Sequence, residues 1–208
     1  MMNRVKRILL ASSVVLLGLA GQATSAMAAP ANTAIPGGAA DAPFATPNAS
    51  GTPVLIRNSW TGQCADLPNY GAPSLNAPVN QYTCNDTTAD NQLWYLVPTR
   101  TAGGYQLFEF VNAKGGLCLD LPNYGSDPIG THVSVYTCNS NPANDNQEWY
   151  SPDGLQLINY KDGLCLDVSG WASDGSDQAL NLPLTVYPCY NSAWANGGFD
   201  DHLWYAQT

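Results

Sequence analysis

Glutamate and lysine are scarce in this chain. Only Glu109 and Glu148 and three lysines stand among 208 residues, and charged side chains make up 11% of the whole. Helix-rich chains lean on Glu and Lys at exposed helical positions, so a mainly helical architecture is set aside. Basic residues are also few, 7 against 16 acidic, for a formal net charge of −9. A polyanion repels phosphate backbones, which sets DNA and RNA aside as partners. Long apolar runs are missing too. The apolar run Ile8–Leu19, which carries no charge, falls short of the ~20 residues needed to span a membrane. Abundant instead are 11 Tyr, 6 Trp, 19 Gly, 15 Pro and 6 Cys. Aromatics favour strands, and Gly, Pro, Asn and Asp favour turns, so the composition indicates an all-β chain.

The N-terminal segment reads as an export signal. Arg4, Lys6 and Arg7 precede the apolar run, and Ala26-Met27-Ala28 offers small residues to a signal peptidase, which sets residues 1–28 apart. No Arg-Arg pair stands in the basic region, so the general export route fits better than the twin-arginine one. Removal of this segment leaves four bases against 16 acids, a net of −12, and all 6 Cys. The expected location is therefore extracellular, where disulfides persist. Residues 29–52 hold eight Ala, four Pro and three Gly, with Ile35 and Phe44 as the only large apolar side chains. Such a stretch cannot offset its ordering entropy and is expected to be a disordered linker. The competing reading is a strand near Phe44 that packs on the domain.

Residues 53–208 contain one unit three times, at about 53–98, 99–152 and 153–208. The first copy carries Cys64, Asp66, Tyr70, Tyr82, Cys84, Asn91, Gln92 and Trp94. The second carries Cys118, Asp120, Tyr124, Tyr136, Cys138, Asn146, Gln147 and Trp149. The third carries Cys165, Asp167, Trp171, Tyr187, Cys189, Asp201, His202 and Trp204. The three late Trp are spaced by 55 and 55, and the first Cys of each copy by 54 and 47. Short alternating segments such as Val54–Arg57, Val79–Thr83 and Gln106–Val111 predict about four strands per copy, or about twelve in all. One copy cannot cover its own edges, whereas three around a pseudo-threefold axis can.

Six Cys allow 15 pairings in principle. Each copy holds two, separated by 20, 20 and 24 positions. Pairing within copies, as 64–84, 118–138 and 165–189, treats equivalent positions equivalently. Zinc ligation is the rival reading, but the spacing lacks the Cys-x₂-Cys motif and the compartment is oxidising.

A Gln-x-Trp in two copies, an altered one in the third, a Cys-x-Asp in all three and an aromatic two before each second Cys resemble the ricin-B type lectins. They are equally similar to the trefoil carbohydrate-binding modules of secreted polysaccharide-degrading enzymes. The resemblance covers about residues 53–208 and implies a β-trefoil with up to three shallow sugar sites. Carried over, the first site is Asp66, Asn80, Tyr82 and Asn91, with Gln92 behind. The second is Asp120, Ser134, Tyr136 and Asn146, with Gln147. Ser134 is shorter than the usual amide there. In the third, Asp167, Thr185 and Tyr187 match, but Asp201 and His202 replace Asn and Gln. Setting Asp201 against Asp167 puts that site in doubt.

The residue chemistry agrees with the resemblance. A pyranose needs a ring to cover its C–H face and a fixed acceptor for adjacent hydroxyls, and an ionised Asp accepts charge-assisted hydrogen bonds. Each candidate also has a plainer role. The Gln-x-Trp indole reads as core, and the adjoining Gln as a brace for backbone and Asp. The Asp can cap a turn and the Tyr can pack. Tyr70, Tyr124 and Trp171 either form a second wall or pack their loop. His132 and His202 read as structural. The Ser173–Asp177 stretch reads as a solvated loop, since it lacks the length and closing Glu of a calcium loop.

The leading expectation is a secreted, monomeric, non-catalytic carbohydrate-binding protein, with no cofactor and no metal. Its partners would be galactose-type glycans or plant and microbial polysaccharide such as xylan or arabinan. The alternatives are a trefoil protein-interaction module, such as a protease inhibitor, and a glycosidase using two carboxylates.

Overall fold

The computed structural model describes residues 41–42, 51–139, 141–170, 174–189 and 201–208. The 1–28 signal, the linker apart from 41–42 and 51–52, and Trp171 lie outside the described residues.

Each copy supplies two barrel strands that flank one hairpin. In the first, β2 (Val54–Asn58) and β5 (Leu93–Ala102) flank β3 (Cys64–Asp66) and β4 (Asn80–Tyr82). In the second, β6 (Tyr105–Asn112) and β9 (Trp149–Tyr150) flank β7 (Leu117–Asp120) and β8 (Ser134–Thr137). In the third, β10 (Ile158–Asn159) and β13 (Trp204–Gln207) flank β11 (Cys165–Val168) and β12 (Leu184–Tyr187). The barrel strands pair antiparallel in the order β13-β2-β5-β6-β9-β10. A bridge between Gln156 and Leu203 and the Trp204 N–H donating to Leu155 O at 2.8 Å close the ring. The fold is a β-trefoil.

The three hairpins meet around the pseudo-threefold axis. Val79 N–H donates to Val133 O (3.0 Å), Val133 N–H to Leu184 O (2.9 Å) and Leu184 N–H to Val79 O (2.8 Å), a cycle of main-chain bonds through all copies. Trp94, Trp149 and Trp204, each 0% exposed, share one hydrophobic core with Val79, Val133 and Leu184. Each indole N–H donates to the carbonyl between the first Cys and the Asp of its copy: Ala65 (3.3 Å), Leu119 (3.4 Å) and Leu166 (3.0 Å). A buried indole must satisfy its donor, and here that requirement ties the core to the strand bearing the Asp. The disulfides pair within copies, Cys64–Cys84, Cys118–Cys138 and Cys165–Cys189.

Two details depart from the sequence reading. A two-residue strand, β1 (Asp41–Ala42), pairs antiparallel with Ala206 and Gln207 inside the stretch expected to be a linker. An open strand edge pairs through main-chain groups, whatever the side chains. The 174–177 segment is also not wholly solvated. Asp177 is fully buried, and its carbonyl accepts from Gln81 Nε2. The chain of Ser176 and Asp177 packs on Gly170 so closely that a Cβ there would lie 2.7 Å from Asp177 N, and Gly170 has φ 140°. Only glycine suits both conditions.

Candidate functional site

Strand alternation places the candidate side chains. Cys64 faces Tyr82 and Asp66 faces Asn80, while Ala65 and Gln81 between them turn inward and are fully buried. With a side-chain period of two, Asp66, Asn80 and Tyr82 share the opposite face of the hairpin. The second copy repeats the register, with Cys118 opposite Tyr136 and Asp120 opposite Ser134. The third does so with Cys165 opposite Tyr187 and Asp167 opposite Thr185.

Gln92 holds the first Asp in place. Its Nε2 donates to Asp66 Oδ1 (2.9 Å) and Thr83 O (3.0 Å), and its Oε1 accepts from Asn85 N–H (2.8 Å). Gln147 makes the same three bonds to Asp120, Thr137 and Asn139, at 2.9, 3.1 and 2.9 Å. Gln92 and Gln147 therefore brace their sites from behind, since both are fully buried. Asn91 and Asn146 are fully buried as well. Asn91 Nδ2 donates to the carbonyls of Asn69 and Gly71, each at 3.0 Å, and so secures the loop that carries Tyr70. Asn146 Nδ2 reaches Asp127 Oδ2 (3.1 Å) and two carbonyls of the matching loop. Tyr70 and Tyr124, held out by those loops, are 69% and 65% exposed.

An open groove of about 510 Å³ results at the first copy. Asp66, Tyr70, Tyr82, Asn85 and Asp90 line it, and Asn181 of the third copy joins them. Asp66 offers oxygen acceptors, Asn85 carries an amide, and two phenol rings provide apolar faces. Such a set can orient a polyhydroxylated ring by hydrogen bonding and cover its C–H face.

The family model described as ricin-type beta-trefoil lectin domain matches residues 52–196. The chain belongs to this lectin family. A search of curated proteins found no match. Among solved structures, the designed threefold-symmetric protein ThreeFoil superposes with TM-score 0.57 at 23% identity, covering 75% of this chain and 98% of that one. The exo-beta-1,3-galactanase 1,3Gal43A from Clostridium thermocellum gives 0.55 at 24% identity, covering 76% of this chain and 30% of that one. The earthworm R-type lectin C-half, solved with GalNAc, gives 0.51 at 14% identity, covering 75% and 99%. At these identities the likeness concerns the fold. The lectin chain spans about a third of the galactanase.

The lectin's third copy differs in the way its sequence suggests, with one addition. Asp167 Oδ2 accepts from Thr185 Oγ1 at 2.7 Å. His202 Nε2 stands 3.4 Å from Asp167 Oδ1, and its Nδ1 stands 3.3 Å from Asp201 Oδ1. The sequence showed no partner set for His202, yet the imidazole lies between both carboxylates. Asp167, Thr185, Asp201 and His202 are each at most 7% exposed. Donor atoms of Asp167, Asp201 and His202 lie within 4.8 Å of one another, a spacing a divalent cation would accept. Glu109, Cys118 and Cys138 group similarly, but both sulfurs are in a disulfide.

Burial pushes Asp66 up to about 6 against the Gln92 hydrogen bond, with Asp90 adding repulsion. Burial likewise raises Asp120 to about 7, with Asp145 and Asp127 nearby. Asp167 rises to about 7 through burial and Asp201, opposed by His202. Glu109 rises to about 7 through burial and Glu148. Between about pH 4 and 7 the folded lectin thus holds protons that the unfolded chain releases, so stability falls as pH rises through that window. The unfolding free energy from urea curves is expected to be higher near pH 4.5 than near pH 7.5, by on the order of 1–3 kcal/mol after allowance for partial exposure, with the midpoint shifted upward to match. Equal midpoints would remove burial as the dominant cause.

The two glutamates of the glycosidase alternative sit elsewhere. Glu148 is 2% exposed and accepts from Arg100 Nε (3.0 Å) and Thr99 Oγ1 (2.7 Å). Glu109 is 7% exposed, and neither lines the groove.

Sequence reasoning missed Asn58, Asn112 and Asn159. Each is fully buried and bonds through Oδ1 to two N–H groups of the following turn. Their Nδ2 atoms reach Asp201 O, Asn91 O and Asn146 O, each at 2.6 Å. They therefore lock the chain just before each Gln-x-Trp or its variant. The signal was present, since each lies six positions before the first Cys of its copy. Asp90 and Asp145 were missed as well. Each accepts from the Asn one residue on and from Asn85 or Asn139, which shapes the site floor.

Proposed function

We propose that this lectin is a secreted, non-catalytic protein that binds galactose-type sugars or a xylan- or arabinan-like polysaccharide through its first and second copies. One observation carries the reading: a Gln-braced Asp on the face shared with a Tyr, built twice with matching hydrogen bonds. At the first site the ligand carboxylate is Asp66 and the stacking ring Tyr82, with Tyr70 as second wall. Asp120, Tyr136 and Tyr124 take the same parts at the second. Asn80 and Ser134 flank them, and Asn91 and Asn146 act by positioning the loops. The third copy, with Asp167, Thr185 and Tyr187 beside the Asp201–His202 pair, binds weakly or selects another ligand. Two structural neighbours support the galactose-type choice: the earthworm lectin solved with GalNAc and a Polyporus squamosus lectin bound to a sialylated Gal-GlcNAc epitope. Three disulfides suit the extracellular space, and no helix among the described residues is long and apolar enough to cross a membrane.

Shallow single sites of this type bind near millimolar, about −4 kcal/mol. Two on one rigid body raise avidity for a polymer by ~10²–10⁴. The test is a broad glycan array, followed by retention on immobilised galactose, xylan and arabinan. The expected result is polymer retention with weak monosaccharide competition. Absence of binding across the array sinks the proposal.

A further inference from the structure

One turn before the second hairpin strand recurs in all three copies. It carries an exposed aliphatic side chain, Leu75 (50% exposed), Ile129 (57%) or Leu180 (48%). A residue with left-handed backbone follows each: Asn76 (φ 60°), Gly130 (81°) and Asn181 (63°). These turns bond to the neighbouring copy's hairpin. Asn181 N–H donates to Gln81 O (2.9 Å), Asn76 N–H to Val135 O (2.8 Å) and Gly130 N–H to Val186 O (2.9 Å). The accepting residues immediately precede Tyr82, Tyr136 and Tyr187. The third copy's turn therefore lies beside the first site, and the first copy's turn beside the second site. At the first site the juxtaposition is direct, because Asn181 lines the groove with Asp66 and Tyr82.

Left-handed backbone is least costly for glycine, and asparagine is among the few other residues that tolerate it. The second copy has the glycine, whereas the first and third carry amides. Among the described residues, no hydrogen bond uses the side-chain amide of Asn76 or Asn181.

We propose that the sugar sites are composite. The Asp66 site extends across the copy boundary onto Leu180 and Asn181, and the Asp120 site onto Leu75 and Asn76. Each extension forms a second subsite for the next residue of an oligosaccharide. The amide donates to and accepts from that residue's hydroxyls, and the aliphatic side chain covers its C–H face. The third site has Gly130 in this position and lacks the amide. The proposal rests on the sugar-site reading above and adds a preference for chains of two or more sugars over a single one.

The test uses the full chain with Asp120→Ala, which leaves the first site to be read. Into it go Asn181→Gly, which keeps the left-handed backbone, and separately Asp66→Ala. Titrations use galactose against lactose and xylose against xylotetraose. Asn181→Gly is expected to weaken the preferred oligosaccharide ~5–10-fold while its monosaccharide changes less than about twofold. Its thermal midpoint should match the parent's. If Asn181→Gly leaves both affinities unchanged, or lowers both equally, the composite site is overturned. If Asp66→Ala leaves all binding intact, the sugar-site reading itself fails. Loss of binding on Asp66→Ala with a neutral Asn181→Gly overturns only the extension.

Discussion

Replacing Asp66 and Asp120 together by Ala is expected to abolish retention on every polysaccharide the parent binds. Each carboxylate is its site's charged acceptor, and hydrogen bonds to an ionised group contribute about 1.5–3 kcal/mol each. Losing them at one site weakens it by roughly two orders of magnitude. The polymer also loses two-point attachment, so the double variant forfeits a further ~10²–10⁴ of avidity. The single variants should keep millimolar monosaccharide binding at the intact site and lose most polymer retention. Folding is not the cause, because burial already disfavours the charged form of both Asp residues. Their removal should leave the thermal midpoint unchanged or raise it. Asp66→Asn keeps the shape without the charge and should fall between parent and Ala. The same logic makes parental binding fall on acidification, first at the second site near pH 7 and then at the first near pH 6. Calorimetric titration of each variant checks these ranks, and undiminished polymer binding by the double variant would falsify the assignment.

Reduction of the three disulfides is expected to unfold the protein or nearly so. Each joins Cys residues 20 or 24 positions apart. In the chain-entropy model a loop of this size restricts the unfolded chain by about 3 kcal/mol. The three together approach ~9 kcal/mol, against a typical total stability of about 5–15 kcal/mol. Charge adds little, since bases are few and ion pairs scarce among the described residues. The variant with Cys118→Ser and Cys138→Ser should lose about 3 kcal/mol. At this size that lowers the midpoint by roughly 10 °C. Urea curves with and without a thiol reductant measure the whole effect. Coinciding curves would show that the hydrophobic core alone holds the trefoil.

Much of this architecture was legible because repetition supplied registers that a single sequence lacks. Three Trp at constant spacing marked the core, and the within-copy Cys pairing followed from equivalence. The shared face of Asp66 and Tyr82 needed the strand register, which pairs Cys64 with Tyr82 and Asp66 with Asn80. The burial of Asn91 and Asn146 was not legible, because it depends on which loop folds back over them. The role of His202 needed the distance to Asp167, 35 residues away in sequence. Asn181 at the first groove was hidden for a topological reason. Sequence tells which residues belong to one copy, but not which neighbouring copy follows round the axis. Asn58, Asn112 and Asn159 were readable in principle, yet no apolar or aromatic signal draws attention to a buried amide.

The pairing of β13 with β2 has a kinetic consequence. Arg57 Nη1 donates to Gln207 Oε1 across a sequence separation of 150 residues. Barrel closure therefore waits until the last strand is available, and the hairpin cycle waits for Leu184. Contacts of such long range place the chain among slow folders, on the order of milliseconds to seconds. A polypeptide threaded outward through a membrane channel must remain unfolded during its passage. On the export proposed above, late closure would keep this chain threadable, and the oxidising space beyond the membrane would then seal the three hairpins in the state the barrel had just reached.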